Sequence, residues 1–519
     1  MARTSFVKAF LASVLGTGLS RVLGLVRDIS IGYFLGAGAA ADAFLMAWTV
    51  PNAFRRFVAD EGLTGALVPG IARAEAEADR GTAQSLANRV LTALLLVNAG
   101  LVALGVVFPE LLVYAFAAGF ADDPAKFELT VQMTRYLMPF LTMVSLVSFF
   151  EGLLNHRGHF FVPKVAPGLV SAGIAGMAVL FGSSLEQPAW ALVAGVWVGG
   201  IAHVVVHLPL VWSRWGPVRL MLGFSDTRFQ KVTRELGKVV VIGLFAQLNI
   251  LLLRQMASFM VLGSVSRYTY ATRLVDLAQG VIAVAVGSAL LPNIASAVAG
   301  EEWERFRSDL LGAYRLAAFL LIPAAVGLFV FAVPLTSIVF LRGKFSFEDV
   351  LWTATCLQLM TPFMLGVAGV NITKKVFFAL EERNSLLVVG GLGVGLTGGV
   401  GYALLEMGIL GLAIALSVAT CAQLLAYVGL LRYRLGAHMP LFVLLVPLGK
   451  MVLATAPMAL FAYGCARQGV WSDGLNAVNS GWFLLGAGGG AVIYGLGAWL
   501  LGIEELTAVT RRLAGRFGR

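Results

Sequence analysis

Six arginines, Arg21, Arg27, Arg55, Arg56, Arg254 and Arg273, stand inside stretches that are otherwise apolar. A guanidinium presents five N–H donors in a planar fork and keeps its charge at any physiological pH. At the middle of a bilayer such a group costs roughly 2.5–3.5 kcal/mol, so several of them in one chain call for a polar cavity, an internal carboxylate or an anionic ligand. The fork suits a diphosphate, whose oxygens it engages two at a time. Carboxylates also lie near these arginines in the sequence: Asp28, Asp42, Asp60, Glu61 and Asp276. Two uses therefore stand side by side, ion pairs that hold helices together and an anion-binding surface. Arg56, Asp60 and Glu61 lie towards a helix end, which favours a structural or gating role. Arg21, Arg27, Arg55 and Arg273 lie deeper, which favours the anion.

The elements that position these groups must be membrane helices. The chain has 519 residues, of which 59% are hydrophobic and 13% charged, and a mean hydropathy of +0.85. That is too apolar for a water-soluble protein of this length. A helix needs about 20 apolar residues to cross a bilayer core. Fourteen such runs are expected, near 8–35, 38–58, 90–108, 131–154, 161–182, 188–212, 239–262, 268–297, 312–340, 351–379, 385–404, 408–431, 446–466 and 481–502. The first is longer than a straight crossing and contains Ser20, Arg21, Gly24, Arg27 and Asp28, which fits a bent helix beside a polar space. Arg21 and Asp28 are seven apart and share a face, so an ion pair between them is open. The second carries Asp42, Pro51, Asn52, Arg55 and Arg56; Pro51 removes a backbone donor and frees a carbonyl near the arginines.

Charge in the connections alternates. One set holds Arg73, Arg80, Arg89, Arg157, Arg214, Arg228, Lys374, Lys375 and Arg432 with several more cations, while the other is nearly free of them and contains Glu110, Asp122, Asp123, Glu348 and Asp349. By the positive-inside rule the first set is cytoplasmic, and an even number of spans places both termini there. A pI near 9.7 then reflects cations facing anionic headgroups rather than a nucleic-acid partner. The start of the chain reads as a first helix and not as a cleaved leader. Cys356, Cys421 and Cys465 have neither disulfide nor metal spacing. His203 and His207, four apart, have the spacing of a metal pair, but no third ligand is evident in the sequence; an interfacial role is expected and no metal or cofactor. No phosphate-binding glycine loop and no catalytic constellation is present, so the chain reads as a non-enzyme.

The sequence also repeats itself. Ala66-Leu67-Val68-Pro69-Gly70-Ile71-Ala72-Arg73-Ala74 answers to Ala289-Leu290-Leu291-Pro292-Asn293-Ile294-Ala295-Ser296-Ala297 at an offset of 223, the offset that also relates Pro139 to Pro362. Two homologous halves of six helices follow, with two helices outside the repeat. An even number per half makes the repeats parallel, an arrangement that in transporters places substrate between the halves. The expected organisation is an N-terminal lobe over 1–222, a C-terminal lobe over 223–435, and a final helix pair with a basic tail over 436–519. The fold class is all-α integral membrane protein.

The strings Ser20-Arg21-Val22-Leu23-Gly24-Leu25-Val26-Arg27-Asp28, Asp42-Ala43-Phe44 and Val50-Pro51-Asn52-Ala53-Phe54-Arg55-Arg56, with Ser264-Val265-Ser266 and Ala271-Thr272-Arg273-Leu274, resemble the MurJ (MviN) family of lipid II flippases. That family belongs to the multidrug/oligosaccharidyl-lipid/polysaccharide exporter superfamily. The resemblance implies two six-helix lobes about a central cavity and a groove for the undecaprenyl tail at the last two helices. It implies alternating-access transport of lipid II across the bacterial cytoplasmic membrane for cell-wall synthesis, with membrane lipids and cell-wall synthesis proteins as further partners. Arg21, Arg27, Arg55 and Arg273 match the family's cavity arginines, Asp42 an important acidic residue, and Ser20 and Ser266 cavity serines; Asp276 stands where other members often carry Glu. Asp28, Pro51, Asn52, Arg56, Glu61 and Arg254 are expected to gate or brace. Some members use a carboxylate of the seventh helix for sodium, and 239–262 contains none, so sodium coupling does not carry over. The alternatives are a flippase for another polyprenyl-linked saccharide, such as an O-antigen unit, and a transport-inactive scaffold.

Overall fold

The structure, a computed structural model, describes residues 2–56, 67–380, 382–436 and 441–507. Asp60 and Glu61 lie outside the described residues. Regular structure among the described residues is helical throughout, and the chain divides into two compact units, Met1–Ser266 and Arg267–Arg519.

The first unit contains α1 (Ala2–Leu35), α2 (Ala39–Arg55), α3 (Val68–Glu77), α4 (Arg80–Val107), α5 (Pro109–Ala117), α6 (Pro124–Leu137), α7 (Phe140–His156), α8 (Phe161–Val165), α9 (Pro167–Phe181), α10 (Ala189–Arg214) and α11 (Thr227–Ser258). The chain then enters α12 (Ser264–Ala299), most of which lies in the second unit. There follow α13 (Trp303–Val330), α14 (Ala332–Phe340), α15 (Phe347–Leu359), α16 (Thr361–Ala379), α17 (Arg383–Ala403), α18 (Ile409–Leu435), α19 (Leu445–Ala466) and α20 (Ala477–Leu500).

Helix boundaries carry the imprint of the repeat. Adding 223 to the limits of α4 gives those of α13, and adding it to α5 gives α14. The start of α6 maps onto that of α15, and the end of α7 onto that of α16. Each half bends at its proline: α6 and α7 meet at 41° beside Pro139, α15 and α16 at 42° beside Pro362. A proline cannot donate to the preceding turn and its ring crowds the carbonyl there, so a break at this point is what the residue imposes.

Among the described residues, eight helical segments, within or spanning α4, α8–α9, α10, α13 and α17 to α20, are long and apolar enough to cross a membrane, and the two bent pairs raise the number to ten. The six intramembrane arginines lie on α1, α2, α11 and α12 or, for Arg56, at the C-cap of α2. The expected run 312–340 is two helices, since α13 stops at Val330 and α14 starts at Ala332. α11 starts at Thr227, well before the expected run at 239, and so includes Glu235.

Polar side chains set the helix starts. Asp79 accepts from the Thr82 N–H at α4, Asp123 from Lys126 at α6, and Asp226 from Arg228 and Phe229 at α11. Each satisfies an N–H that the first turn leaves without an intrahelical acceptor. At α15, Ser346 and Asp349 form a reciprocal capping box, and Asp349 also takes two bonds from Arg267, at 2.7 and 2.9 Å.

Packing in unit 1 depends on glycine contact between α9 and α10. A Cβ at Gly195 would meet the Ile174 Cα at 2.5 Å, and one at Gly199 the Val170 Cα at 2.5 Å. Without an aqueous driving force between helices, such close approach supplies the van der Waals attraction. Gly195→Val is therefore expected to lower stability by about 1–3 kcal/mol, read as thermal unfolding of the detergent-solubilised protein. Gly176→Ala on the same α9, where nothing lies within 4 Å, is expected to leave it unchanged or slightly raised.

At one end of unit 1, Glu75 of α3 accepts from His156 Nε2 at 2.7 Å and from Arg157 Nη2 at 3.0 Å, and the Arg157 guanidinium lies 5.0 Å over the Trp215 ring. The His156 bond, with help from Arg157, holds the Glu75 carboxyl below its ordinary value of 4.5. A depressed carboxylate contributes stability above its unfolded value that is lost as pH falls through the folded one. The unfolding temperature of the wild type should thus fall as pH is lowered below about 4.5, and Glu75→Gln should flatten that part of the profile.

The candidate anion-binding helices and their partners

Arg27 is the most fully defined of the expected site residues. Its Nε and Nη2 donate to Asp28 Oδ1 at 2.9 and 2.7 Å, and Nη1 reaches Ser171 Oγ of α9 at 3.5 Å. The Arg27 side chain is 15% exposed. Sequence spacing offered Arg21 as a partner for Asp28; the structure shows the carboxylate also engaged by its immediate neighbour Arg27, whose long stem folds back one position. Of the five donors on that guanidinium, two remain for another acceptor. Ser20 and Arg21 are half-buried on the same helix. α1 approaches α9 closely there, since a Cβ at Gly168 would meet the Ser20 Cα at 3.3 Å.

On α2, Pro51 lies within the helix and Asn52 Nδ2 donates to the Trp48 carbonyl at 2.7 Å. Arg55, half-buried, closes the helix, and Arg56, exposed, caps it through its backbone N–H. Arg254 is half-buried on α11. Its neighbours anchor that helix to the end of α5: Gln255 accepts from the Ala118 N–H and Ser258 from the Gly119 N–H, both at 3.0 Å.

Asp42 and Ser266 are brought together and enclosed. Asp42 is 1% exposed and Ser266 0%. The Asp42 carboxylate accepts from the Gly263 N–H at 2.9 Å, the Ser266 N–H at 2.8 Å and Ser266 Oγ at 2.5 Å. An acidic side chain on α2 thereby caps the start of α12, where the first-turn N–H groups and the helix dipole favour an anion. In unit 2, Arg273 lies 3.7 Å from Asp276, with side chains 36% and 51% exposed, so that pair keeps contact with water.

The histidines depart from expectation. His203 and His207 are 4% and 0% exposed, buried within unit 1 rather than presented at an interface, and Glu151 of α7 supplies the third group that the sequence did not offer. One ligand-capable atom from each lies within 4.8 Å of the others. Arg55 is near enough for its charge to act on His203. Glu151 is the one carboxylate in the 131–154 run; a lone acid in a membrane span was the signal that would have found it. Ser171 and Gly263 had no such signal, since their roles arise from contacts across 144 and 221 positions.

Residues 31–475 match the family model described as Lipid II flippase MurJ. The "Probable lipid II flippase MurJ" of Bdellovibrio bacteriovorus is 30% identical over 88% of each chain. The "Lipid II flippase MurJ" of Burkholderia cenocepacia is 31% identical over 70% of this chain and 72% of its own. Among solved structures, "Lipid II flippase MurJ, inward closed conformation" aligns with a TM-score of 0.77 at 20% identity, covering 94% of this chain and 98% of its own. An inward-facing multidrug resistance MATE family transporter of the MOP superfamily aligns at 0.64 with 14% identity, covering 83% and 98%.

Proposed function

The chain belongs to the MurJ family of lipid II flippases, and from that premise we propose that Arg21, Arg27, Arg55 and Arg273 bind the diphosphate and adjoining headgroup of lipid II during its transfer across the cytoplasmic membrane. The protein is a multi-pass membrane transporter whose substrate is the lipid-linked peptidoglycan precursor. The observation that carries the assignment of the site is Arg27: a guanidinium within an otherwise apolar helix, oriented by Asp28 and Ser171 with donors left over. Fixed orientation reduces what an arginine must lose on binding a phosphate, and partial desolvation strengthens the contact.

In this reading Asp42 and Ser266 do not touch the headgroup. Their bonds to each other and to Gly263 make them a tether that sets where α12 starts. Arg273, with its water-accessible partner Asp276, is a second headgroup contact carried by that helix. α19 and α20 display Leu453, Leu460, Leu484 and Trp499 outward, which supports an acyl-chain-facing role for the final helix pair. The alternation of charge in the connections supports cytoplasmic termini. Each elementary charge moved through the membrane potential is worth about 2.3 kcal/mol per 100 mV, so an arginine-lined path that takes up an anionic headgroup can be driven without ATP. Complementation of a flippase-depleted bacterium tests the assignment: the wild type should restore lipid II at the outer face, and arginine variants that insert normally should not. Normal restoration by all four single alanine variants would overturn it.

A further inference from the structure

We infer that Glu151, His203 and His207 form a binding site for a single divalent transition-metal ion, of which zinc fits the ligand set best. His203 and His207 are four apart on α10 and present their rings on one face, with centroids 5.3 Å apart. α7, packed against α10, brings Glu151 to the same place.

The protonation pattern is already that of a ligand. His207 Nδ1 lies 2.8 Å from the His203 carbonyl oxygen, which can only accept, so Nδ1 carries the proton and the Nε2 lone pair is available for a metal. A ligating imidazole typically has its second nitrogen held in this way. Neither His203 Nε2 nor His207 Nε2 has a hydrogen-bond partner among the described residues, although both are buried. Buried ring nitrogens in that condition are uncommon in native structures and point to an unseen partner.

Two imidazoles and a carboxylate are a zinc set, whereas magnesium and calcium prefer oxygen ligands alone. Tetrahedral zinc with bonds of about 2.0–2.1 Å holds its ligand atoms roughly 3.3 Å apart. The observed separations, up to 4.8 Å, must shorten by at most about 1.5 Å for the set to close. Three protein ligands leave a fourth position for water or an anionic oxygen. The Arg55 charge that reaches His203 opposes the cation, and Glu151 offsets it; together they favour an anion in that fourth position. The site does not depend on the headgroup role proposed for the arginines.

The test uses full-length protein in detergent with any affinity tag removed, stripped with chelator, loaded with zinc and freed of excess, and read by elemental analysis. Cobalt is substituted as a spectroscopic probe of tetrahedral coordination. The wild type should retain about one zinc per chain. Glu151→Gln should weaken binding about 10–100-fold and alter the cobalt spectrum, and the His203→Asn/His207→Asn double variant should retain none. His156→Gln, which removes the histidine at Glu75, should retain the full equivalent. If the double variant fails to fold, Glu151→Gln carries the test, since it exchanges one oxygen for an amide group. A wild type that holds no zinc, or an Glu151→Gln protein that binds zinc and cobalt as the wild type does, overturns the inference.

Discussion

Arg27→Ala is expected to abolish restoration of lipid II at the outer face in flippase-depleted cells. Two charge-assisted bonds to Asp28 are lost, and so is the proposed fork on the diphosphate. A hydrogen bond to a charged partner contributes about 1.5–3 kcal/mol, which for the headgroup corresponds to a loss of roughly 10- to 150-fold in apparent affinity. The same change leaves Asp28, 5% exposed, without that partner, and breaking a buried pair from one side costs about 3–5 kcal/mol. Stability and transport must therefore be separated. The double variant Arg27→Ala/Asp28→Asn removes the Asp28 charge as well and is expected to regain most of the unfolding temperature while remaining inactive. Arg27→Lys keeps the charge without the fork and should fall between wild type and alanine. If the double variant transports normally, Arg27 serves only to neutralise Asp28, and the headgroup assignment at this residue is wrong.

Asp42→Ala should act mainly on stability. It removes the acceptor for the Gly263 and Ser266 N–H groups and for Ser266 Oγ in an enclosed site. Buried donors left unsatisfied cost about 1–3 kcal/mol each, so a loss of about 2–5 kcal/mol is expected in thermal unfolding. Ser266→Ala removes one bond of the three and should cost about 1 kcal/mol. Because both substitutions act on one network, the double variant should lose less than the sum of the singles. An Asp42→Ala protein as stable as wild type but unable to transport would place the carboxylate against substrate and overturn the tether.

Several features were legible in the residues before any coordinates. Arginines in apolar runs announce a charged interior because their insertion penalty leaves few alternatives. The repeat was visible in two strings and a proline offset, and its helices do keep that spacing, since proline acts on its own turn whatever surrounds it. The role of Asp42 was less legible. A carboxylate in a membrane helix reads as functional by default, and the partners that the structure gives it are 221 and 224 positions away. The histidine pair shows the same limit from the other side: His203 and His207 lie on one helix and Glu151 on another.

What the sequence determined by itself was therefore whatever depends on composition and local spacing: a membrane-embedded all-α chain, its internal duplication, and the helices that carry the arginines. Tertiary structure alone decided the partners. It set Arg27 between Asp28 and Ser171, enclosed Asp42 over the start of α12, and joined Glu151 to His203 and His207. The physical reason is that insertion cost and backbone hydrogen bonding act residue by residue along the chain, whereas the geometry of a charge and its acceptor depends on side chains that only packing between distant helices brings within hydrogen-bond range.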